Sequence, residues 1–165
     1  MVYKIRIILN ADDDVIRDIV IHKTVSLEEL HNMINKAFGF EGNEMASFYR
    51  SDDEWIQGEE FPLIDMGDGM HSKTQMQDIT IENILRNKND KLIYIYDFLN
   101  MWSFYVEVID NNFKPPKPQL SNVFFALGQI PKTAPDIQFE SEDLSIENFD
   151  EDEETDEFDF DEYFS

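Results

Sequence analysis

Hydrophobic and polar positions alternate from the start of the chain. Tyr3, Ile5, Ile7 and Leu9 fall on one face of an extended segment, and Lys4, Arg6 and Ile8 on the other. A period of two predicts a strand. The turn-forming cluster from Asn10 to Asp14 leads into an apolar run from Val15 to His22, which predicts a second strand in an antiparallel hairpin. The period changes after Ser26, where Leu27, Leu30, Met33 or Ile34, and Ala37 recur at helical spacing. Ser26 and Glu29 have capping-box spacing, and Gly39 is placed to close the helix. Met45 to Arg50 predicts a further strand, followed by a turn at Ser51 to Asp53 and a short strand around Trp55. From Gly58 to Gln77 the pattern dissolves around Pro62, Gly67 and Gly69. Thr80 then opens a short helix, Ile81 to Arg86, with Ile81, Ile84 and Leu85 inward.

The largest side chains concentrate between Lys91 and Asp110. Leu92, Tyr94, Tyr96 and Phe98 share one face of a strand, with Ile93, Ile95 and Asp97 on the other, so this strand suits the middle of a sheet. Trp102, Phe104, Val106 and Val108 form the apolar face of its partner. Leu99-Asn100 between them lacks the glycine of a two-residue turn, which predicts a hairpin with a longer or bulged connection. Beyond Asp110 the proline-rich stretch Lys114 to Pro118 reads as stiff and extended, and Leu120 to Leu127 as a strand or a turn of helix. The elements predict an α+β fold: a mostly antiparallel twisted sheet of five or six strands, one main helix packed on it, and a short second helix.

Charge divides the chain. Of 36 acidic residues, 14 fall from Glu140 onward, where there is no Lys or Arg; the remaining 22 against 13 basic residues leave 1–139 at about -9 of the total -23. The expected organisation is an α+β domain over 1–139 and an acidic, largely disordered tail over 140–165. A phosphate backbone would be repelled, so direct nucleic-acid binding is not expected. The absence of cysteine excludes disulfides, thiolate metal sites and a Cys nucleophile. No signal-peptide layout and no apolar run of membrane-spanning length is visible, so the expectation is a cytoplasmic protein without a membrane partner. Oligomeric state is not readable.

Candidate chemistry is sparse. There is no glycine-rich phosphate loop and no nucleophile elbow. Asp65, Asp68 and His71 resemble metal ligands but match no ligand spacing, and the acidic turn Asp12 to Asp14 lacks the ligand number of a calcium loop. His31 on the main helix reads first as a boundary histidine bonded to backbone or water. Carboxylates are plentiful enough for a pair at glycosidase distance to arise by chance, and Asp97 and Glu107 on the central hairpin are placed where they could approach each other, against the plainer role of turn or edge carboxylates. No catalytic residue, metal ligand or cofactor is assigned.

Two motifs carry a family resemblance. Leu30-His31, Ile34, Ala37, Phe38 and Gly39, followed by Phe40, and then Tyr94, Tyr96, Asp97, Phe98 and Trp102, stand in the order and spacing of two signatures. On these the chain resembles the plasmid pRiA4b ORF-3-like family over about Val2 to Asp110. The first signature there reads L-H-x-x-I-x-x-A-F-G-W and the second Y-x-Y-D-F-G-D-x-W. Phe40 replaces a Trp, Leu99-Asn100 replaces Gly-Asp, and Phe104 or Tyr105 stands where a His often follows. A Cys-, Pro- and Gly-rich continuation is missing, with only Leu120 to Asp136 in its place. The resemblance implies an α+β fold and little biochemistry. Some members carry a resolvase label, but strand transfer needs arginines converging on the scissile phosphate. Arg6, Arg17, Arg50 and Arg86 are instead scattered over separate elements.

In the acidic tail, Leu144, Ile146, Phe149, Phe158, Phe160, Tyr163 and Phe164 are interspersed with carboxylates. Such segments keep aromatic anchors soluble and available. The expected function is a non-enzymatic protein-interaction module, with Phe149, Phe158, Phe160, Tyr163 and Phe164 engaging a partner that offers a basic or apolar groove. Two plainer roles stand beside it: a solubilising tail, or Leu144, Ile146 and Phe149 folding back onto the protein's own surface. The alternative function is a small carboxylate-based hydrolase or nuclease-like enzyme, with or without a metal, built from His31 and the Asp65 to His71 loop.

Overall fold

A computed structural model describes residues 2–67, 72–115, 123–131 and 134. β1 (Val2–Leu9) and β2 (Ile16–His22) form the first hairpin, and α1 (Leu27–Phe38) follows. Next come β3 (Ala46–Ser51), β4 (Glu60–Pro62), a 3-10 turn at Met76–Asp78 and α2 (Ile81–Ile84). The chain then forms β5 (Lys91–Tyr96), β6 (Trp102–Phe113) and β7 (Val123–Leu127). The strands make one sheet in the order β4-β3-β5-β6-β1-β2-β7, and every neighbouring pair is antiparallel.

β6 is the hinge of the topology. Its twelve residues pair with β5 from Trp102 to Glu107 and with β1 from Phe104 to Phe113, joining the N-terminal hairpin to the central one. Tyr3, Ile5, Ile7, Tyr94, Tyr96, Phe104, Val106 and Val108 are all buried. Leu27, Leu30, Ile34 and Phe38 of α1 belong to the same core, as their three- and four-residue spacing requires. The Ser26 side chain accepts the Glu29 amide at 3.2 Å, and Gly39 closes α1 with φ +80.

The starts of α1 and α2 are clipped together. Leu27 N donates to Ile79 O, Ile81 N to Val25 O and Glu82 N to Lys23 O, all within 3.0 Å. First-turn amides lack intrahelical partners, and here the neighbouring chain supplies them. This explains why Thr80 makes no side-chain cap to the backbone.

On the sheet face away from α1, four charges of alternating sign lie in register across β5, β6, β1 and β2: Lys91, Glu107, Arg6 and Asp18. Lys91 Nζ lies 3.6 Å from Glu107, and Arg6 grips the buried Asp18 carboxylate with two bonds of 2.8 and 2.9 Å. Opposite charges directly across strands are favourable neighbours.

The structure corrects several sequence expectations. Among the described residues the sheet has seven strands, because Glu60–Pro62 pairs with β3 inside the stretch where periodicity fails, and Val123–Leu127 pairs with β2. Trp55 takes a left-handed turn conformation (φ +58) instead of a strand, and packs its ring on Tyr105 at 4.6 Å. Phe38, not Ala37, completes the buried stripe of α1. β5 stops at Tyr96, so Phe98 leaves the strand.

Candidate functional site

The two sequence signatures, some sixty residues apart, meet at the C-terminal end of α1. Gly39 reverses the chain there, and the Phe40 amide returns to Asn35 O at 2.8 Å. The reversal places the Phe40 ring flat against Tyr96, with centroids 4.8 Å apart and planes within 14°, and 5.1 Å from Trp102. The Tyr96 hydroxyl accepts the Gly42 amide at 3.1 Å, so the loop after α1 is fastened to β5.

Above these rings lies a crevice of about 370 Å³. Phe38, Phe40, Tyr96, Asp97 and Trp102 contribute to its walls, Glu41 and Glu44 bring carboxylates, and Ile130 and Pro131 approach from the segment after β7. Glu41, Glu44, Ile130 and Pro131 were not among the candidates read from sequence. The carboxylates stand alone in a loop without periodicity, and Ile130-Pro131 follows a strand whose partner only topology reveals.

Asp97 organises the connection between β5 and β6. It adopts φ +67, a conformation Asp tolerates. Its backbone amide donates to Met45 O at 2.7 Å, and its carbonyl accepts Asn100 N and Met101 N at 3.0 and 2.6 Å. Oδ1 accepts the amides of Leu99 and Asn100, and Oδ2 accepts Asn100 Nδ2 at 2.6 Å. Asn100, which replaces an acidic residue of the signature, thus serves as a donor that locks the loop. The loop then holds out three apolar side chains: Leu99 is 92% exposed, Phe98 43% and Met101 42%.

The remaining candidates are arranged otherwise than their sequence roles require. Asp97 and Glu107 lie at opposite ends of the hairpin. Glu107 pairs with Lys91 at the start of β5 while Asp97 follows its end, a separation of roughly 20 Å at strand rise. They form no carboxylate pair. His31 is buried, and its Nδ1 lies 2.7 Å from the Tyr94 hydroxyl, in place of the backbone or water expected. Asn35 Nδ2 donates to the same hydroxyl at 3.0 Å and to His31 O at 2.7 Å, and lies 3.3 Å from His31 Nδ1; the His31 tautomer sets which of His31 and Tyr94 donates across their contact. Burial lowers the His31 pKa from 6.5 to about 4 and raises that of Tyr94 well above the ordinary phenol.

Asp65 uses its carboxylate to accept the amides of Gly67 and Lys73, each at 3.0 Å. Asp68 and His71 lie outside the described residues, as do Leu144, Ile146, Phe149, Phe158, Phe160, Tyr163 and Phe164. Among the described residues, no group of three or more His, Asp or Glu is placed to hold a metal ion. No helix among them is long and apolar enough to cross a membrane.

Among the described residues, the seven-stranded antiparallel sheet with one principal helix defines an α+β protein whose two signatures build one crevice. The family model described as plasmid pRiA4b ORF-3-like protein matches residues 1–137, and the chain belongs to that family. No curated protein sequence matches it. Among solved structures it is similar to a protein of unknown function from Methanosarcina mazei Go1. That similarity has a TM-score of 0.59 and 15% identity, and covers 76% of this chain and 68% of that one. The likeness is one of fold.

Proposed function

We propose that the chain is a non-enzymatic protein-interaction module, with the domain over 1–139 as scaffold and the acidic segment over 140–165 as an additional contact. The observation that supports this reading is the tip of the β5–β6 connection. Leu99 stands almost fully in water between Phe98 and Met101, on a loop held in shape by the Asp97 carboxylate. An apolar side chain presented by a preorganised loop loses little entropy on binding, and a cluster of such residues marks an interaction site. Beside the tip, Asp97, Glu41 and Glu44 supply negative charge at the crevice. The complementary partner is a protein with an apolar groove edged by Lys or Arg. Phe149, Phe158, Phe160, Tyr163 and Phe164, with their neighbouring carboxylates, have the same chemistry, so tip and tail fit one kind of partner surface. The setting proposed is the cytoplasm.

The test is capture from host lysate by the full-length protein, with a photo-crosslinking residue beside Leu99. A defined partner should be captured by the wild type and lost with Leu99→Asp, while an exposed control substitution, Lys88→Ala, retains it. Equal capture by wild type and Leu99→Asp would overturn the assignment of the tip.

A further inference from the structure

Building on the reading of the chain as an interaction module, we propose that the outer edge of β7 accepts an extended basic segment of a partner protein as an eighth strand. The two ends of the sheet are built differently. β4 is three residues long and carries Glu60 and Pro62, so it is short, charged and missing one backbone donor. These are the devices by which sheet edges are kept from pairing. β7 has none of them. It is Val-Phe-Phe-Ala-Leu, and among the described residues Phe125 to Leu127 have β2 as their only strand neighbour. Phe125 and Leu127 lie cross-strand from Asp18 and Ile16, on the face away from α1, and are 43% and 46% exposed. An added strand gains affinity from main-chain hydrogen bonds, and specificity from alternate side chains meeting such a row.

Charge selects the occupant. Gly128 adopts φ +83 and passes so close to the β1–β2 turn that a Cβ there would lie 2.1 Å from Asp14 O. The C-terminal end of β7 is therefore fastened beside the exposed Asp12, Asp13 and Asp14. The adjacent cation, Arg17, directs its guanidinium to the carbonyls of Ala37, Ile16, Leu127 and Gly128. An incoming strand thus meets an apolar row that ends in three carboxylates. A second copy of a chain carrying -23 is repelled there, and so is the chain's own acidic segment. The matching occupant has apolar residues at alternate positions and Lys or Arg at one end. Every other pairing in the sheet is antiparallel, and the N-terminus of an antiparallel strand lies beside the C-terminal end of β7. The basic residues therefore belong at the N-terminus of the incoming segment.

Two peptides of equal composition test this on the full-length protein: Lys-Lys-Val-Thr-Val-Thr-Val and its reverse, Val-Thr-Val-Thr-Val-Lys-Lys. Titration followed by amide chemical shifts should move Phe125 to Leu127 together with Asp12 to Asp14, and the first peptide should bind several-fold more tightly. Phe125→Lys, or Leu127→Lys at the second exposed position, should weaken binding several-fold. Replacing Asp12, Asp13 and Asp14 by Asn should remove the preference for one direction. The proposal is overturned by absence of shifts at Phe125 to Leu127, by equal binding of the two peptides, or by shifts at the aspartates that Phe125→Lys leaves unchanged. A dimer dispersed by Phe125→Lys would assign the edge to a second copy, and exchange protection of its outward amides in the free monomer would assign it to the chain's own tail. Either result overturns the proposal. Leu99→Asp should leave peptide binding unaltered, so the tip and the edge fail or stand separately.

Discussion

His31 Nδ1 and the Tyr94 hydroxyl meet at 2.7 Å, joining the middle of α1 to the most buried strand of the sheet. The hydroxyl also accepts from Asn35, so three buried side chains share this one polar contact. The folded protein holds His31 unprotonated down to about pH 4, against 6.5 for a free side chain, because burial penalises the charged ring. Between those values the unfolded chain binds a proton that the folded chain does not. This contribution to stability is therefore complete above about pH 6.5, falls as pH drops, and levels off below about pH 4. The whole change amounts to roughly 3 kcal/mol. Urea unfolding of wild type and His31→Gln across this range should show the extra slope in the wild type alone; parallel curves would refute it.

Removing the Tyr94 hydroxyl leaves His31 Nδ1 and one Asn35 donor without their buried partner. Tyr94→Phe should cost about 1–3 kcal/mol in urea unfolding at neutral pH. It should also raise the pKa of His31 little, since burial and not the hydroxyl is the cause of its depression. Histidine ring shifts followed by NMR titration measure this directly.

The Arg6–Asp18 pair should respond asymmetrically. Asp18 is almost fully buried, whereas the Arg6 side chain is 38% exposed. Arg6→Met strands a buried carboxylate and should cost about 3 kcal/mol or more. Asp18→Asn lets the guanidinium reach water and should cost clearly less. Denaturation of the two variants at pH 7 decides; equal losses would show that the carboxylate has another neutralising partner.

Gly128→Ala should detach β7 at its end. Its φ of +83 and a Cβ position 2.1 Å from Asp14 O leave no room for a side chain beside backbone. The expected loss is about 1 kcal/mol or more, with faster hydrogen exchange confined to Val123–Leu127 and β2. Exchange unchanged in β7 would contradict the close approach.

Truncation after Phe139 tests the acidic segment. If it supplies part of the partner contact, capture of the partner should weaken in the truncated chain and weaken further with Leu99→Asp. Pull-downs unaffected by truncation would leave the segment a solubilising role.

Periodicity was enough to place β1, β2, α1, β3, β5 and β6, because each buries one regular face and the spacing of apolar residues records it. Ser26 and Gly39 marked the ends of α1 for local reasons: a side-chain oxygen for an unpaired amide, and freedom at positive φ. β4 escaped because three residues are too few to show a period. β7 was ambiguous as strand or helix until β2 was seen beside it.

What no local pattern contains is the meeting of distant residues. Sequence alone showed the acidic balance, the lack of cysteine and the two signatures that carry the family. It left Asp97 and Glu107 open as a pair, and only the hairpin register set them apart. It left His31 at a boundary, and only the packing of α1 on β5 gave it Tyr94 as a partner. The crevice, the charge ladder and the place of β7 beside β2 exist because antiparallel pairing brings together residues far apart in the chain. That pairing is decided by burial across the whole sheet and not by any one segment.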